Sequence, residues 1–234
     1  MTPDDLTAGA LELLGLMPGA SNYTFLARLG GPEGRLVIYK PRRGEAPLWD
    51  FPTGTLCQRE VAAYLVSAAG GFGIVPPTVL RDGPAGPGSV QEFVEHDFGC
   101  TAFDLYDDHA AELRRIALFD LVVNNADRKA GHVFPDAQGH VWAIDHGICF
   151  HADPKLRTVL WDFADQPLSS EERACLQRLR TALSGDLGVA LAELLDPEEL
   201  TALRRRLKIV LKAGAFPAPG PAWGPGRAFP WPPI

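Results

Sequence analysis

The sequence predicts an α+β fold of two lobes, a small strand-rich N-terminal lobe followed by a helical C-terminal lobe. Strand patterns surround a single long helical pattern between residues 20 and 95, and helical patterns dominate after residue 110. The 234 residues are 46% hydrophobic, which is enough for one sizeable core or two small ones. We therefore divide the chain into an N-terminal lobe (1–95), a C-terminal lobe (96–215) and a tail (216–234).

The N-terminal lobe is predicted to begin with a short leucine-rich helix, followed by a hairpin of two strands, a longer helix and two further strands. A glycine-rich turn joins the hairpin, and loops rich in glycine and proline separate the later elements. In chain order, these elements cover residues 4–16, 23–29, 35–40, 56–69, 75–80 and 89–94.

The C-terminal lobe follows a hinge at residues 91–100 and begins with a strongly apolar helical pattern over 110–123. A polar segment (124–132) then leads into a hairpin over 133–144, and residues 169–213 are predicted to be helical again. The tail is rich in proline, glycine and aromatic residues, which predicts an extended segment that is either disordered or draped over the surface.

Composition excludes several classes of protein. The net charge of −7 is opposite in sign to that of a typical nucleic-acid binder, so no nucleic-acid partner is expected. No apolar run approaches the roughly 18 residues of a membrane span, and the N-terminus is acidic rather than basic as in a secretory signal. The four cysteines are scattered without a C-x-x-C pair, which favours a reducing, cytoplasmic location.

The polar segment and the following hairpin contain residue types that suit phosphoryl transfer. That reaction needs one carboxylate to orient the attacking hydroxyl, a second to hold the metal on the phosphates, and a lysine to neutralise charge. Protein kinases place a metal-binding Asn five residues after the first Asp and then use D-F-G. Here Asp127 is followed five residues later by His132, and the sequence D-H-G begins at Asp145.

The N-terminal lobe offers partners for these carboxylates. Lys40 ends a strand, and Glu60 follows 20 residues later on the first turns of a helix, as in the lysine-orienting ion pair of kinases. Glu45 is a rival partner for Lys40. The loop that contains Ser21 and Asn22 is a candidate for binding phosphate through its backbone N–H groups.

Five motifs in this order resemble the type II phosphatidylinositol 4-kinases and small bacterial phosphatidylinositol 3- and 4-kinase-like proteins. The resemblance extends over residues 18–165, with a more distant likeness to bacterial HipA-type serine kinases, and it implies a protein-kinase-like fold. The motifs are VIYKP (37–41), REVAAYL (59–65), VPPT (75–78), NADR (125–128) and AIDHG (143–147).

The resemblance implies a role for each candidate residue. Lys40, oriented by Glu60, would contact the ATP phosphates, and Asp127 would be the catalytic Asp. Lys129 stands where the lipid 3-kinases place a His and would approach the γ-phosphate. The hinge that holds adenine through its backbone would be the stretch of Gln91, Glu92, Phe93 and Val94. The metal ligands would be Asp145 and His132.

His132 is the main departure from the family pattern, which has an Asn there. Oxygen ligands suit Mg²⁺ better than imidazole does, so either His132 is a poor ligand, one metal is lost, or the site prefers Mn²⁺. This departure leaves a nucleotide-binding pseudokinase open as an alternative.

The predicted function is an ATP-dependent kinase that uses Mg²⁺ or Mn²⁺ and phosphorylates a hydroxyl of an unidentified lipid, protein or metabolite. The negative net charge disfavours contact with anionic membranes. A metal-dependent hydrolase is the remaining alternative. Its ligands would come from His132, His140, Asp145, His146 and His151.

Overall fold

A computed structural model describes residues 2–19, 22–220 and 228–234. The strands are β1 (Leu11–Leu16), β2 (Phe25–Leu29), β3 (Arg35–Pro41), β4 (Thr78–Gly83), β5 (Gly86–Glu92), β6 (Val133–Pro135) and β7 (Val141–Ala143). The helices are α1 (Pro3–Thr7), α2 (Leu56–Gly70), α3 (Ala110–Val123), α4 (Ser170–Ala182), α5 (Asp186–Ala192) and α6 (Pro197–Ala213). The predicted α+β class, with an N-terminal sheet and a helical C-terminal part, is confirmed.

The N-terminal sheet has five strands in the order β1-β2-β3-β5-β4, and every neighbouring pair is antiparallel. Its buried face, together with α1, forms a small core. The members of this core are Leu6, Ala27, Leu29, Val37, Tyr39 and Val90. Lys40 lies on β3 beside this core, so the sheet fixes the position of its side chain.

The larger core belongs to the helical part and includes the helix α2. Ala62, Ala63 and Val66 of α2 are fully buried in it, together with residues of α3, α4 and α6. Burial of these apolar side chains stabilises the position of α2 against the C-terminal helices. Lys40 and Glu60 therefore come from elements that pack into two different cores.

The predicted helix over residues 4–16 is wrong. The helix α1 ends at Thr7, and residues 11–16 form the edge strand β1, which pairs with β2. Gly9 has φ 92°, a left-handed conformation that ends the helix at little steric cost. The leucines that followed were counted as a helical face, but cross-strand pairing with β2 decides their structure.

The second hairpin is longer than the sequence predicts. The expected strands over 75–80 and 89–94 are observed as β4 and β5, joined by the two residues Pro84 and Ala85. The segment 81–88, which the sequence predicts to be a loop, is therefore mostly paired strand. Gly86 follows the turn with φ 96°, which glycine tolerates.

The helix α3 ends directly before the polar segment. Asn124 forms its C-cap in the left-handed region, with φ 56°, and Asn is one of the residues that tolerate this conformation. The side chain of Asn124 donates hydrogen bonds to the carbonyl oxygens of His151 and Asp153 and accepts one from the Lys155 amide. This polar anchor ties the segment after β7 to the end of α3.

The end of the tail lies against the C-terminal lobe. The Ala228 carbonyl accepts hydrogen bonds from Thr158 N and Trp161 Nε1, at 3.1 and 3.0 Å. The Pro233 carbonyl accepts one from Ala130 N at 2.8 Å. Residues 228–234 are thus draped over the surface, and residues 221–227 lie outside the described part of the chain. Among the residues that the structure describes, no helix has the length and apolar character needed to cross a membrane.

Candidate active site

A cavity of about 320 Å³ lies between the N-terminal sheet and the loops on either side of β6 and β7. Ser21 lies outside the described residues, and the other predicted site residues all line this cavity. They are Asn22, Lys40, Glu60, Glu92, Phe93, Val94, Asp127, Lys129, His132 and Asp145. The fold therefore brings these candidates into one cleft, while their individual roles stay predictions.

Lys40 makes the central ionic contacts of the cleft. Its Nζ lies 2.5 Å from Glu60 Oε1 and 2.9 Å from Asp145 Oδ1. Glu45, the rival partner, instead accepts a hydrogen bond from the Cys57 amide at 2.8 Å. The second oxygen of Glu60 accepts a hydrogen bond from His146 N at 3.0 Å. One buried carboxylate thus connects the lysine to the segment that follows Asp145.

The charges of these three groups depend on each other. Burial alone would lower the pKa of Lys40, but Asp145 and then Glu60 outweigh it and raise that pKa. The Lys40 ammonium holds the pKa of Asp145 well below its usual range. Burial raises the pKa of Glu60, and Lys40 opposes this. Lys40 and Asp145 are therefore charged at neutral pH.

Asp145 combines an unusual backbone with an accessible side chain. Its φ is 60°, in the left-handed region that Asp tolerates better than most residues. The side chain is 50% exposed and points into the cleft, in contrast to the 3% exposed side chain of Glu60. A carboxylate that is ionised, held in place and open to the cavity suits a metal ligand.

His132 is the second candidate metal ligand. Its Nε2 lies 3.4 Å from Asp145 Oδ2, so both side chains face the same part of the cleft. Burial lowers the pKa of His132 to about 4, although Asp145 opposes this. The ring is therefore neutral at pH 7, as a metal ligand must be.

Metal binding by protein groups alone would require more ligands than this pair supplies. In the described parts of the chain, no group of three or more His, Cys, Asp or Glu side chains lies close enough to hold a metal ion. Mg²⁺ in nucleotide sites is usually held by one or two carboxylates together with substrate phosphates and water. The observed pair fits a metal that arrives with a nucleotide.

Asp127 also lines the cleft, beside Lys129. The Lys129 Nζ is 3.6 Å from Asp127 Oδ2, and the Asp127 amide donates to Asn125 Oδ1 at 2.9 Å. Burial raises the pKa of Asp127, and Lys129 opposes this rise. A partly buried carboxylate of raised pKa, open to a cavity, suits a group that orients a hydroxyl or accepts its proton.

A buried ion pair holds together the segment that contains Asp127 and the segment that contains Asp145. Arg128 is fully buried, and its guanidinium donates to both Asp120 oxygens, with the shortest contact at 2.9 Å. It also donates to the Ile144 carbonyl at 2.7 Å and lies 2.7 Å from His146 Nε2. Arg128 therefore pairs with Asp120 in the interior rather than with its neighbour Asp127. Arg128 joins the segment around Asp127 to the segment around Asp145.

Sequence reasoning did not find this support. Asp120 stands on α3 in an apolar helical pattern, and Asn125 Nδ2 also donates to it at 2.9 Å. A charged residue inside an otherwise apolar face is the signal that could have indicated a buried partner. His146 is fully buried and contacts Arg128 rather than merely filling the position after Asp145.

The predicted hinge lines the cavity, but its amides are not equally available. Glu92 N donates to the Pro77 carbonyl at 2.9 Å, and Phe93 N donates to the Leu36 carbonyl at 3.3 Å. Contacts from those two residues to an adenine would therefore come from their carbonyl groups. Val94 lies beyond the sheet, where its carbonyl is 2.8 Å from His96 Nδ1.

The candidate phosphate loop connects β1 to β2, so it does join two strands. Met17 N donates to the Thr24 carbonyl at 2.8 Å and closes the loop. Asn22 lines the cavity, and its side-chain oxygen accepts a hydrogen bond from Ala46 N at 2.7 Å.

The ligand set of the alternative hydrolase is not assembled. His140 Nε2 lies 2.8 Å from the Gly73 carbonyl, and the His151 ring packs edge-on against Phe51. Neither histidine lines the cavity that contains His132 and Asp145. Two of the five residues of that hypothesis, His140 and His151, thus lie outside the cavity that His132 and Asp145 share.

Comparison with known proteins relates the sequence of this chain to one family. The family model described as phosphatidylinositol 3- and 4-kinase matches residues 78–185. Protein Rv2133c of Mycobacterium tuberculosis is 38% identical, with 97% of this chain and 93% of that protein covered.

Plant proteins are similar over a shorter part. Phosphatidylinositol 4-kinase gamma 7 of Arabidopsis thaliana is 31% identical over 52% of this chain, and gamma 4 of Oryza sativa is 30% identical over 67%. The matches span 23% and 32% of those two longer proteins.

Two solved structures share the fold. The proinflammatory kinase CtkA of Helicobacter pylori has a TM-score of 0.51 and 14% identity, with 90% of this chain and 94% of that chain covered. Hydra Fam20, solved with sugar, has a TM-score of 0.53 and 16% identity, with 89% and 84% covered.

The two lobes and the cleft between them define a protein with a kinase-like fold. The family model confirms the resemblance noted from the motifs, and the solved kinase structure shares the fold. Residues 78–185 carry the phosphatidylinositol 3- and 4-kinase family domain.

Proposed function

We propose that this chain is an ATP-dependent phosphotransferase that moves the γ-phosphate of ATP to a hydroxyl group of its acceptor. The observation that carries the proposal is the contact of Lys40 with both Glu60 and Asp145 inside a cavity that Asp127 also lines. Phosphoryl transfer in kinases uses a lysine on the phosphates, a carboxylate that holds the metal and a carboxylate beside the acceptor hydroxyl, gathered in one place.

Nucleotide binding would use the charge of Lys40. The β3 strand and Glu60 hold its ammonium at the cavity wall, where it can donate to the α- and β-phosphates. Asp145 and the neutral imidazole of His132 would hold Mg²⁺ or Mn²⁺ on those phosphates. When bound, the metal neutralises charge that develops on the phosphate oxygens during transfer.

Transfer to the acceptor would use Asp127 and Lys129. The raised pKa of Asp127 makes its carboxylate a stronger proton acceptor than an exposed Asp, which suits the group that receives the hydroxyl proton. The Lys129 ammonium lies 3.6 Å from this carboxylate, where it can neutralise the transferring γ-phosphate. Asn125 keeps Asp127 in place through the Asp127 amide.

These residues do not restrict the acceptor to one chemical class. The names of the family and of the plant relatives favour a phosphatidylinositol headgroup. The net charge of −7 weakens any attraction to an anionic membrane, which favours a protein or metabolite hydroxyl. The acceptor screen therefore includes vesicles that contain phosphatidylinositol, a protein substrate and free inositol.

A nucleotide-binding pseudokinase is the second candidate function. It is favoured by the imidazole of His132, which stands where the family motif has an amide oxygen ligand. In that case the cleft would bind ATP and signal its presence without turnover.

The test is a titration with ATP, with and without Mg²⁺ or Mn²⁺, that follows the melting temperature. A ligand that binds only the folded state raises the melting temperature by mass action. We expect a metal-dependent rise that is lost in Lys40→Ala and Asp145→Asn and is kept in Lys208→Ala, an exposed lysine on α6. ADP release distinguishes the two candidates, because a pseudokinase binds without releasing ADP. Absence of any ATP-dependent shift in the native protein would contradict both.

A further inference from the structure

Arg59 directly precedes Glu60 on α2 and is one of the largest side chains that are almost fully buried in the described part of the chain. It is 1% exposed, although arginine is rarely buried without a charged partner. None of the site hypotheses assigns it a role. Its contacts lead away from the sheet and into the C-terminal lobe.

The guanidinium of Arg59 contacts two separate segments of that lobe. Its Nη2 lies 2.7 Å from Glu199 Oε1, and its Nη1 donates to the Cys149 carbonyl at 2.8 Å. The Nε donates to Thr55 Oγ1 at 3.3 Å, and the cation lies 4.9 Å from the centre of the Phe51 ring. The planar fork of arginine can make these contacts together, whereas the single ammonium of lysine cannot.

Glu199 is itself held rigidly. It stands on the first turn of α6 and is 5% exposed. Its second oxygen accepts a hydrogen bond from the Asp196 amide at 3.1 Å, which completes the capping box of α6. Arg59 is therefore anchored to the N-terminus of a 17-residue helix rather than to a mobile side chain.

The N-terminal turns of α2 carry this anchor beside Leu56, which packs in a small separate cluster with Phe51 and Ala126. The fully buried apolar residues that pack α2 into the larger core begin at Ala62, after Arg59 and Glu60. Glu60 Oε2 accepts from His146 N, and Arg59 donates to the Cys149 carbonyl three residues further along. Two adjacent residues of α2 thus bind the segment that follows Asp145.

We propose that Arg59, held by Glu199, is a positioning residue that keeps Glu60 in contact with Lys40. The clamp of Arg59, Glu199 and the Cys149 carbonyl joins α2 to α6 and to the Asp145 segment, so the Lys40–Glu60 pair is formed in the resting protein. No separate activating event is then needed to bring α2 into place. The consequence for ATP rests on the proposed function, whereas the consequence for α2 itself does not.

The test compares two capping carboxylates that stand at equivalent places in different helices. Glu199 completes the capping box of α6 and pairs with Arg59, and Glu172 completes that of α4 and pairs with Arg114 at 2.6 Å. The Arg114–Glu172 pair does not border the cavity. Glu172→Gln therefore reproduces the loss of a capping carboxylate's charge and of an ion pair without touching the clamp.

The first readout is hydrogen–deuterium exchange of the α2 amides, residues 56–70, in the nucleotide-free protein. Glu199→Gln and Arg59→Lys are expected to speed exchange in the first turns of α2 by roughly tenfold, as expected for loss of one charge-assisted hydrogen bond. Glu172→Gln is expected to leave α2 exchange unchanged. Equal α2 exchange in Glu199→Gln and Glu172→Gln would overturn the proposal.

The second readout is the ATP concentration at the midpoint of the melting-temperature shift. Glu199→Gln should raise this midpoint ATP concentration several-fold in the native background. It should have no further effect on the midpoint in a protein that already carries Glu60→Gln, because the clamp acts through Glu60. Equal effects in both backgrounds would overturn the positioning role. A native protein without any ATP shift would contradict the proposed function, and the exchange comparison would still decide the clamp.

Discussion

Replacing Asp120 by Asn tests the buried support beneath the two loops of the cleft. Asp120 is fully buried and accepts hydrogen bonds from Arg128 Nε at 2.9 Å, Arg128 Nη2 at 3.0 Å and Asn125 Nδ2 at 2.9 Å. Asn has nearly the same shape but no charge, so the Arg128 guanidinium would stay buried without a counter-ion. Removing one partner of a buried ion pair costs about 3–5 kcal/mol.

The expected change can be measured by equilibrium unfolding in urea. The free energy of unfolding should fall by about 3–5 kcal/mol, which corresponds to a melting temperature roughly 6–20 °C lower for a chain of this size. The slope of the free energy against urea should stay unchanged. Asp153→Asn is the control, because that side chain is 83% exposed and its replacement should change stability by less than about 0.5 kcal/mol.

A loss of less than about 1 kcal/mol in Asp120→Asn would refute this reasoning. Such a result would mean that the Ile144 carbonyl and His146 satisfy the Arg128 guanidinium without the carboxylate. The ATP shift of the surviving folded protein then shows whether the loops keep their positions.

Four further outcomes are expected. His132→Asn should keep or raise ATP turnover with Mg²⁺, measured as ADP release, and abolition of turnover would give the imidazole a role of its own. Turnover should fall as the pH is lowered, and this fall should begin above the pH at which an ordinary Asp titrates. The reason is that burial raises the pKa of Asp127, and a protonated Asp127 cannot accept the hydroxyl proton. A turnover rate that stays constant down to about pH 4 would contradict this. Ending the chain at residue 227 should lower the free energy of unfolding in urea by about 2–4 kcal/mol, since at least three hydrogen bonds to the carbonyls of Ala228 and Pro233 are lost. An unchanged urea midpoint would contradict their contribution. Alkylation of Cys57, followed by mass spectrometry, should be slower than that of the partly exposed Cys100, since burial raises the pKa of Cys57 to about 12; equal rates would contradict the burial.

Hydrophobic periodicity predicted correctly those elements whose apolar residues fit only one type of secondary structure. The helix α3 is observed at the predicted bounds, because its apolar residues recur at helical spacing and Asn124 ends it. The strand β1 was missed because five leucines between residues 6 and 16 fit a helical face as well as an edge strand. Its structure depends on pairing with β2, which lies beyond the local pattern.

The residues that line the cleft were easier to predict from the sequence than the buried ion pairs that hold them in place. Lys40, Glu60, Asp127 and Asp145 form a constellation whose order along the chain is informative, and the structure gathers all four around one cavity. Their roles in catalysis stay predictions.

The supports escaped because they join distant segments. Arg59 pairs with Glu199 across 140 residues, and Arg128 turns inward to Asp120 instead of pairing with its neighbour Asp127. A charged residue in a loop or helix gives no local sign of such a partner. The run of three arginines at 204–206 has the sequence of a solvated helix face, but it also contains a buried arginine with a distant partner. Arg206 is 5% exposed and donates a hydrogen bond to the Val122 carbonyl.

The most direct test of the proposed function is phosphorus NMR of ATP incubated with the native protein, Mg²⁺ or Mn²⁺, and the acceptor panel. The account predicts metal-dependent loss of the γ-phosphate signal, with a new phosphate ester on one acceptor, and no loss with Asp145→Asn. Asp145 and Lys40 contact each other at 2.9 Å, so this variant removes the ionic centre of the cleft. Turnover that persists at the native rate in Asp145→Asn would contradict the assignment of the cleft as the catalytic site.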